Sequence, residues 1–447
     1  MTRAAFGVVA LASALLLPGL ARAEVVPGSQ GAQDALLAVA HDGSPRVGFV
    51  AADGTVALAT RGADGTWAAQ PLAGLPGPRA LVVGLAVAPS GASDLLVEDP
   101  AGHWLALAEQ LPDQSLRVRV VAGAPTGGLL GFGGLALDTS GRPLVAYAVE
   151  LRSHKTWLRL VHEDAAGRLL GERVTRGGFP SSDVLPAAAP VVLPSGEVRV
   201  LEAYDAATIE WARTRNHRDW IGQFVYGSSL GSPAGIVAGA AADGGVWSAW
   251  TELFPAYGES QLLLALHEHG EQTTVLHHHA FLVALALGGA GPEVAADDYV
   301  DLAGARTVFA GLVVGAGGAP LEVAGDLYGY AVDPGGGRQY LVLEPDGLGW
   351  YRAASPPAAS VSLAAAASGA SFALSGRVGG AATGASVELW RETGNGPELA
   401  ATLPLAADGS FSATDLPPVR PLTYRAVYRD PASGLPLAAL VRSVLGS

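Results

Sequence analysis

The chain has 447 residues, a formal net charge of −14 at pH 7 and no cysteine. A length well above that of one compact core predicts a large domain together with a smaller one. The acidic balance argues against binding to nucleic acid or to anionic membrane surfaces, which both need basic patches, and the lack of cysteine excludes disulfides and cysteine metal sites.

The N-terminal residues 1–23 have the features of a secretory signal peptide. Arg3 lies in a short basic start, residues 4–17 are apolar, and Ala21-Arg-Ala23 has the small-residue pattern of a cleavage site. The apolar segment is shorter than the roughly 18 residues needed to cross a bilayer, and no other segment approaches that length. We therefore predict a secreted chain that begins near Glu24, with no membrane insertion.

Residues 133–175 set the pattern for most of the chain. Four short apolar segments, at 135–137, 144–151, 156–163 and 169–174, are separated by turn residues such as those at 138–141. The segments alternate between two faces and are too short for amphipathic helices. This pattern predicts four antiparallel strands.

The first strand and turn of this unit recur along the chain. Equivalent segments end at Gly43, Gly91, Gly196 and Gly244, so that with Gly141 the spacings are 48, 50, 55 and 48 residues. A period of about 40 to 50 residues with four strands per repeat indicates the blades of a β-propeller. Five blades are predicted between residues 34 and 279.

Residues 280–354 contain six further candidate strands, which are too many for one blade and too few for two. We therefore predict an all-β fold with a six- or seven-bladed β-propeller over residues 34–354, and we slightly favour six blades with extra strands. Residues 355–360 contain Pro356 and Pro357 and are predicted to be a linker. Residues 361–447 contain six or seven short strands with turns such as Asp408-Gly409, which predicts an Ig-like β-sandwich.

Several motifs resemble those of secreted bacterial propellers of the sialidase-like or repeat-lectin type, followed by a bacterial Ig-like domain. Leu137–Tyr147 is similar to the recurrent D-x-x-G-x-P-x-V-A-Y of such propellers, and Asp64–Trp67 is similar to the Asp-box turn of sialidases. The Arg-Ile-Pro motif of true sialidases is absent, and its nearest counterpart, Pro45–Val47, departs from it, which argues against sialidase chemistry. In the C-terminal part, Ala407–Ser412 and Tyr424–Tyr428 are similar to Ig-like modules of bacterial surface proteins.

The propeller geometry predicts where a ligand would bind. Turns that join strands one to two and three to four lie on one face of the disc, and the remaining loops lie on the other face, around the channel mouth. The longer loops of this second face combine aromatic rings with polar groups, which suits sugar binding. The candidate ligand-binding residues are Arg152, His154, Phe179, Asp183, Tyr204, Asp205, Phe254, Tyr257 and Glu259. The alternative is that these loops only cap the blades.

Three clusters have residue types that bind metals. His267-Glu-His269 and His277-His-His279 do not meet across the predicted hairpin, so solvated histidines on outer strands are the preferred interpretation. Asp297–Asp301 lacks the pattern of a calcium loop and is predicted to be a solvated acidic edge. No metal site and no cofactor is predicted.

Acidic residues that could act in catalysis include Glu202, Asp205, Glu252 and Glu259, but no spacing distinguishes them. No catalytic residue is assigned, and non-enzymatic function is preferred. The sequence favours a secreted binding or scaffold protein whose propeller face binds a glycan or an extracellular protein. The alternatives are a glycoside hydrolase or lyase on the same scaffold and a purely structural protein of the cell envelope.

Overall fold

The structure is a computed structural model that describes residues 23–153, 155–175, 179–180, 187–204, 207–213, 219–227, 232–254, 259–267, 272–278, 280–288, 291–302, 305–315, 320–353, 359–393, 396–418, 421 and 423–442. All regular elements within these ranges are β-strands, which confirms the prediction of an all-β fold. In this part of the chain, no helix has the length and apolar character needed to span a membrane.

Seven antiparallel sheets follow one another along the chain after the short first strand β1 (Glu24–Val25). Sheet 1 contains β2 (Asp34–Val39), β3 (Pro45–Val50), β4 (Val56–Arg61) and β5 (Trp67–Pro71). Sheet 2 contains β6 (Leu81–Val87), β7 (Ser93–Glu98), β8 (Trp104–Gln110) and β9 (Leu116–Gly123). Sheet 3 contains β10 (Leu129–Leu130), β11 (Gly134–Leu137), β12 (Pro143–Glu150), β13 (Lys155–Glu163), β14 (Leu169–Arg173) and β15 (Phe179–Pro180).

In sheets 4 to 6, four consecutive strands pair in chain order, and in sheet 7 three do so. Sheet 4 contains β16 (Ala187–Val192), β17 (Val198–Tyr204), β18 (Ala207–Arg213) and β19 (Trp220–Gly227). Sheet 5 contains β20 (Ser232–Ala240), β21 (Val246–Phe254), β22 (Glu259–Leu266) and β23 (Gln272–His278). Sheet 6 contains β24 (Ala280–Gly288), β25 (Gly291–Leu302), β26 (Ala305–Gly315) and β27 (Leu321–Ala324). Sheet 7 contains β28 (Leu327–Val332), β29 (Arg338–Glu344) and β30 (Gly347–Ala353), with β1 as its outer strand.

The inner strands of the sheets form a closed ring. Each of β2, β6, β11, β16, β20, β24 and β28 contacts the next, and β28 contacts β2. The inner strands surround an axial channel of about 360 Å³. This arrangement is that of a β-propeller, as the repeated four-strand unit predicted. The predicted repeat over residues 133–175 is also confirmed, because β11 to β14 pair in order.

The N-terminus explains why residues 280–354 fit neither one predicted blade nor two. These residues form β24 to β30, and the missing outer strand of sheet 7 comes from β1 at the other end of the chain. Glu24 pairs with Trp350 and Val25 with Gly349. A two-residue strand has no periodic pattern, so the sequence could not assign it.

Side chains hold this N-terminal strand in place. Arg61 Nε donates to Glu24 Oε2 at 2.6 Å, and Trp67 Nε1 donates to the same oxygen at 3.0 Å. The Val26 N–H donates to the carbonyl oxygen of Leu348 at 2.9 Å. Sheets 1 and 7 are therefore tied together through β1.

Glycines allow the inner strands to approach one another closely. A Cβ atom on Gly329 of β28 would lie 2.5 Å from the Cβ of Leu37 on β2 and 2.9 Å from the Leu37 backbone nitrogen. A Cβ atom on Gly84 of β6 would lie 2.6 Å from the Cβ of Leu135 on β11. The ring is thus packed so tightly at these points that a side chain does not fit.

The C-terminal part has two sheets of its own. Its strands are β31 (Ser360–Ser368), β32 (Ser371–Gly379), β33 (Ser386–Thr393), β34 (Gly396–Pro404), β35 (Ser410–Asp415), β36 (Thr423–Arg429) and β37 (Pro436–Arg442). One sheet has the order β31-β32-β35, and the other has the order β37-β36-β33-β34. The rings of Phe372 and Tyr424, one from each sheet, have centroids 5.3 Å apart, so the two sheets pack face to face.

This C-terminal part is joined to the propeller. β37 pairs with β27 at Leu437 and Val323, so sheet 6 continues into the C-terminal sheet. One apolar core contains Tyr330, Tyr340 and Tyr351 of sheet 7 together with C-terminal side chains such as those of Phe372, Tyr424 and Leu437. The two parts therefore share a core.

Candidate functional site

A cleft of about 920 Å³ lies between sheets 3 and 4, on the face that carries the turns between strands one and two. Both sheets supply its walls. Its lining residues are Asp138, Thr139, Ser140, Arg142, Leu144, Leu160, His162, Glu163, Asp164, Ser195, Gly196, Glu197, Val198 and Arg213.

Two turns of sheet 3 form one wall, and both have the sequence Asp-x-x-Gly-Arg. In the first, Asp138 Oδ1 accepts hydrogen bonds from the backbone N–H groups of Ser140 at 2.8 Å and Arg142 at 2.9 Å. Gly141 has a φ of 78°, which suits glycine at this position of the turn. The second turn repeats these contacts, with Asp164 Oδ1 accepting from the backbone of Arg168 at 2.9 Å.

Each turn also orients an arginine side chain. Arg142 Nε donates to Asp138 Oδ2 at 3.0 Å, and Arg168 Nε donates to Asp164 Oδ2 at 2.9 Å. Partial burial acts to raise the pKa of Asp138, but hydrogen bonds from Arg142 and Ser140 outweigh it and hold that pKa below its usual range. Hydrogen bonds from Arg168 likewise lower the pKa of Asp164. Both aspartates are therefore ionised and fixed in direction at neutral pH.

The floor of the cleft is apolar and belongs to the packing between the two sheets. Leu144 and Leu160 lie in a buried cluster that also contains Val200, and Val198 packs against that cluster. His162 follows Leu160 on the same face of β13, one step closer to solvent. Its imidazole lines the cleft and makes no hydrogen bond or ion pair with the described residues.

The opposite wall comes from sheet 4. The Arg213 guanidinium pairs with Glu172 and lies over the ring of Trp220, 5.1 Å from its centroid. Glu197, in the turn between β16 and β17, accepts from Arg199 Nε at 2.6 Å. The lining charges of this wall are thus paired.

The predicted ligand-binding residues stay a prediction, and the structure describes the side chains of two of the nine. Arg152 lies in an exposed turn after β12, where its aliphatic carbons pack against Gly127. Phe254 is half-buried at the end of β21. The side chains of the others lie outside the described part of the structure: His154, Phe179, Asp183, Tyr204, Asp205, Tyr257 and Glu259.

The cleft lies on the face opposite to the predicted loops. Its turns are the short glycine turns that the sequence indicates as scaffold, and its other wall comes from a different repeat. The repeated Asp-x-x-Gly-Arg sequence, at 138–142 and 164–168, is the signal that distinguishes these turns from the turns of other repeats. A search for polar residues shared by the two turns of one repeat would have found it.

The axial channel is a weaker candidate for a sugar site. Its walls include Leu37, Leu135, Ile236, Leu285 and Val332, and none of the described lining residues is charged. The channel therefore offers no carboxylate pair for glycoside chemistry in the described part of its wall.

The predicted solvated position of His267 is wrong. Its side chain is 2% exposed, with Nδ1 2.6 Å from Glu210 Oε2 and Nε2 2.7 Å from Ser248 Oγ. The connectivity is that of a Ser-His-Glu triad. Ser248 is fully buried, however, so a substrate does not reach it. The network links sheets 4 and 5.

Asp297, in the predicted acidic edge, is half-buried, and its Oδ1 accepts a hydrogen bond from the Leu327 backbone of the next sheet at 2.9 Å. The side chains at 299–301 lie outside the described part of the structure, so the solvated edge stays a prediction. The other histidines of the predicted clusters, at 269 and 277–279, have no described side chains. Among the described residues, no group of three or more His, Asp or Glu side chains is arranged to hold a metal ion.

The sequence matches no described protein family and no curated protein. Among solved structures, the chain is similar to an ulvan lyase of a polysaccharide lyase family, with 8% identity, a TM-score of 0.44, and coverage of 74% of this chain and 93% of that one. It is also similar to the leech intramolecular trans-sialidase, with 11% identity, a TM-score of 0.42, and coverage of 76% and 70%. For the Aleuria aurantia lectin in complex with a methyl fucoside, the identity is 14%, the TM-score 0.38, and the coverage 55% and 76%. These values are too low to transfer the role of any residue.

Proposed function

We propose that this chain is a secreted carbohydrate-binding protein, built as a seven-bladed propeller followed by an Ig-like β-sandwich. Sheets 1 to 7 would be the blades, and residues 1–23 would be removed as a signal peptide. The proposed site is the cleft between sheets 3 and 4, and the ligand is a neutral glycan segment. The observation that carries this proposal is the combination of an apolar floor with a rim of fixed charge pairs around the unpartnered His162.

The size and chemistry of the cleft support a glycan. Its volume of about 920 Å³ lies within the range of about 300 to 1,000 Å³ that is usual for ligand sites. Sugar hydroxyls both donate and accept hydrogen bonds. The lining side chains of Asp138, Arg142 and Asp164 present both kinds of group, in directions fixed by the pairs Asp138–Arg142 and Asp164–Arg168. Beneath these pairs, Leu144 is 5% and Leu160 1% exposed, so the polar rim would make most of the contacts with a sugar.

The charge balance supports a neutral ligand. The lining carboxylates Asp138, Glu163, Asp164 and Glu197 are each paired with an arginine. Arg213 is paired with Glu172. An acidic sugar would have to displace a carboxylate of the protein, and it would do so against a net charge of −14.

Binding without hydrolysis is the preferred form of the proposal. Glycoside hydrolysis by a carboxylate pair needs one carboxyl that keeps its proton at the working pH. The lowered pKa values of Asp138 and Asp164 make both unsuitable as that acid. A glycoside hydrolase or lyase stays the alternative, and hydrolysis of a reporter glycoside by the full chain would favour it. A purely structural role in the cell envelope would leave the chain without glycan affinity.

We expect His162→Ala to lower the affinity for a glycan by about tenfold, which corresponds to about 1.4 kcal/mol. The physical reason is the loss of a donor and an acceptor at the centre of the cleft. The measurement is a screen of the full chain on a glycan array, followed by titration of the best neutral glycan with both proteins.

The control variant is His103→Ala, which removes a histidine that is 65% exposed and lies away from the cleft. This change should leave the affinity unaltered. If the unmodified chain bound no glycan on the array, glycan binding itself would be contradicted. If the His162→Ala variant and the unmodified chain bound the glycan with equal affinity, the cleft would not be the glycan-binding site.

A further inference from the structure

Acidic side chains recur near the end of the second strand in sheets 2 to 7, on the face opposite to the cleft. We name this set, together with Asp34 at the start of β2, the carboxylate belt. Its members on the second strands are Glu98, Glu150, Glu202, Glu252, Asp297 and Glu344.

Several belt members join one sheet to its neighbour. Asp34 Oδ2 accepts from the Val82 backbone of sheet 2 at 2.8 Å, and Glu98 Oε2 accepts from the Gly133 backbone beside sheet 3 at 3.2 Å. Asp297 makes the equivalent bond from sheet 6 to sheet 7. The belt is therefore placed to hold the ring together.

Three members of the belt are poorly solvated for charged groups. Glu98 is 5% exposed, and Glu202 and Glu252 are fully buried. Glu202 Oε2 accepts from Trp211 Nε1 at 3.0 Å, while its Oε1 has no hydrogen-bond partner. An ionised carboxylate with one bare, buried oxygen is strongly disfavoured, whereas a protonated carboxyl is not.

We propose that the carboxylate belt is a pH-dependent clasp, which holds adjacent sheets most firmly in mildly acidic medium and weakens as the medium becomes alkaline. The members that titrate are Asp34 and Glu98, which bond to the next sheet, and Glu202, whose partner Trp211 lies in its own sheet. The clasp is a property of the ring and is independent of what the cleft binds.

The groups that face these carboxyls favour the protonated form. Burial is the main cause that raises the pKa of Glu98 to about 8; the Gly133 N–H opposes this rise, and the nearby charges of Asp34 and Asp99 add to it. Burial raises the pKa of Glu202 to about 7, opposed by the Trp211 hydrogen bond. Burial also raises that of Asp34 to about 6, against backbone hydrogen bonds from Val82 and Ala35.

The sign of the pH dependence follows from proton binding. The ordinary pKa values of these groups are 4.5 for glutamate and 3.8 for aspartate. Between about pH 4 and 8 the folded chain holds protons that the unfolded chain has released, so stability falls as the pH rises through this interval. Below about pH 4 both states are protonated and the stabilisation is complete.

The test is thermal unfolding of the full chain at pH 5.5 and pH 8.5. We expect the midpoint to be higher at pH 5.5 by at least about 5 °C. Glu98→Gln keeps the acceptor oxygen and cannot ionise, so it should raise the midpoint at pH 8.5 and reduce the difference between the two pH values. Glu202→Gln should also raise the midpoint at pH 8.5. This second variant keeps the test valid if Glu98→Gln does not fold.

Asp53→Asn is the matched control. It removes one negative charge from a fully exposed turn on the same face, and hydrogen bonds from Thr55 lower the pKa of Asp53, so it titrates below the tested interval. This change should leave the difference between pH 5.5 and 8.5 unaltered. A midpoint that is higher at pH 8.5 than at pH 5.5 would overturn the clasp. So would a difference in midpoint between the two pH values that is as large in Glu98→Gln and Glu202→Gln as in Asp53→Asn.

Discussion

Removal of residues 354–447 is expected to unfold or aggregate the remaining propeller. The physical reason is the shared core, since Tyr330, Tyr340 and Tyr351 of sheet 7 are each no more than 2% exposed in the full chain and pack in one cluster with the C-terminal sheets. Exposing three such side chains costs roughly 5 to 9 kcal/mol. This is comparable with the whole stability of many proteins.

The truncation is best examined by thermal unfolding and gel filtration of residues 24–353 beside residues 24–447. A point variant gives a milder version of the same experiment. Leu437→Ala, at the buried contact between β37 and β27, should cost about 2 to 5 kcal/mol. Leu399→Ala, at a leucine that is 48% exposed on β34, is the matched control and should cost far less. A truncated chain that unfolds cooperatively at the same temperature as the full one would contradict the shared core.

Gly329→Ala is expected to destabilise the ring by about 3 kcal/mol or more. The added methyl group would lie 2.5 Å from the Cβ of Leu37 and 2.9 Å from its backbone nitrogen. Neither atom is at the end of a flexible side chain, so β2 and β28 would have to separate. These are the strands at which the ring closes.

Urea unfolding of the variant measures this effect as a lower midpoint. Gly123→Ala is the matched control, because Gly123 also lies in a strand and a Cβ atom there would meet nothing within 4 Å. That change should be neutral or slightly stabilising, since alanine restricts the unfolded chain. Equal midpoints for the two alanine variants would show that β2 and β28 separate at little cost.

The sequence predicts the repeating part of the fold because its signals are local. Turn glycines such as Gly43, Gly91 and Gly141, with apolar residues alternating between them, define four short strands per repeat. The docking of the C-terminal sheets has no such signal. Pro356 and Pro357 predict only a linker between the two parts. The pairing of Val323 with Leu437 joins residues that are distant in sequence, so no local pattern indicates it.

The candidate site is harder to predict for the same reason. His162, Arg142 and Arg213 come from two repeats and meet only when sheets 3 and 4 pack side by side. The buried position of His267 also depends on a neighbour, since Glu210 belongs to the preceding sheet. The sequence shows which residues carry chemistry but not which sheet faces them.

The pairing of β1 with β30 has a consequence for the order in which the chain folds. Residues 24–25 are made before every other strand, yet their partners at 349–350 are made only after all the other sheets of the propeller. Such a long-range contact has a high closure entropy and forms late. Until it forms, β30 is an open sheet edge that can pair with another chain, so the interval before ring closure is when aggregation competes with folding.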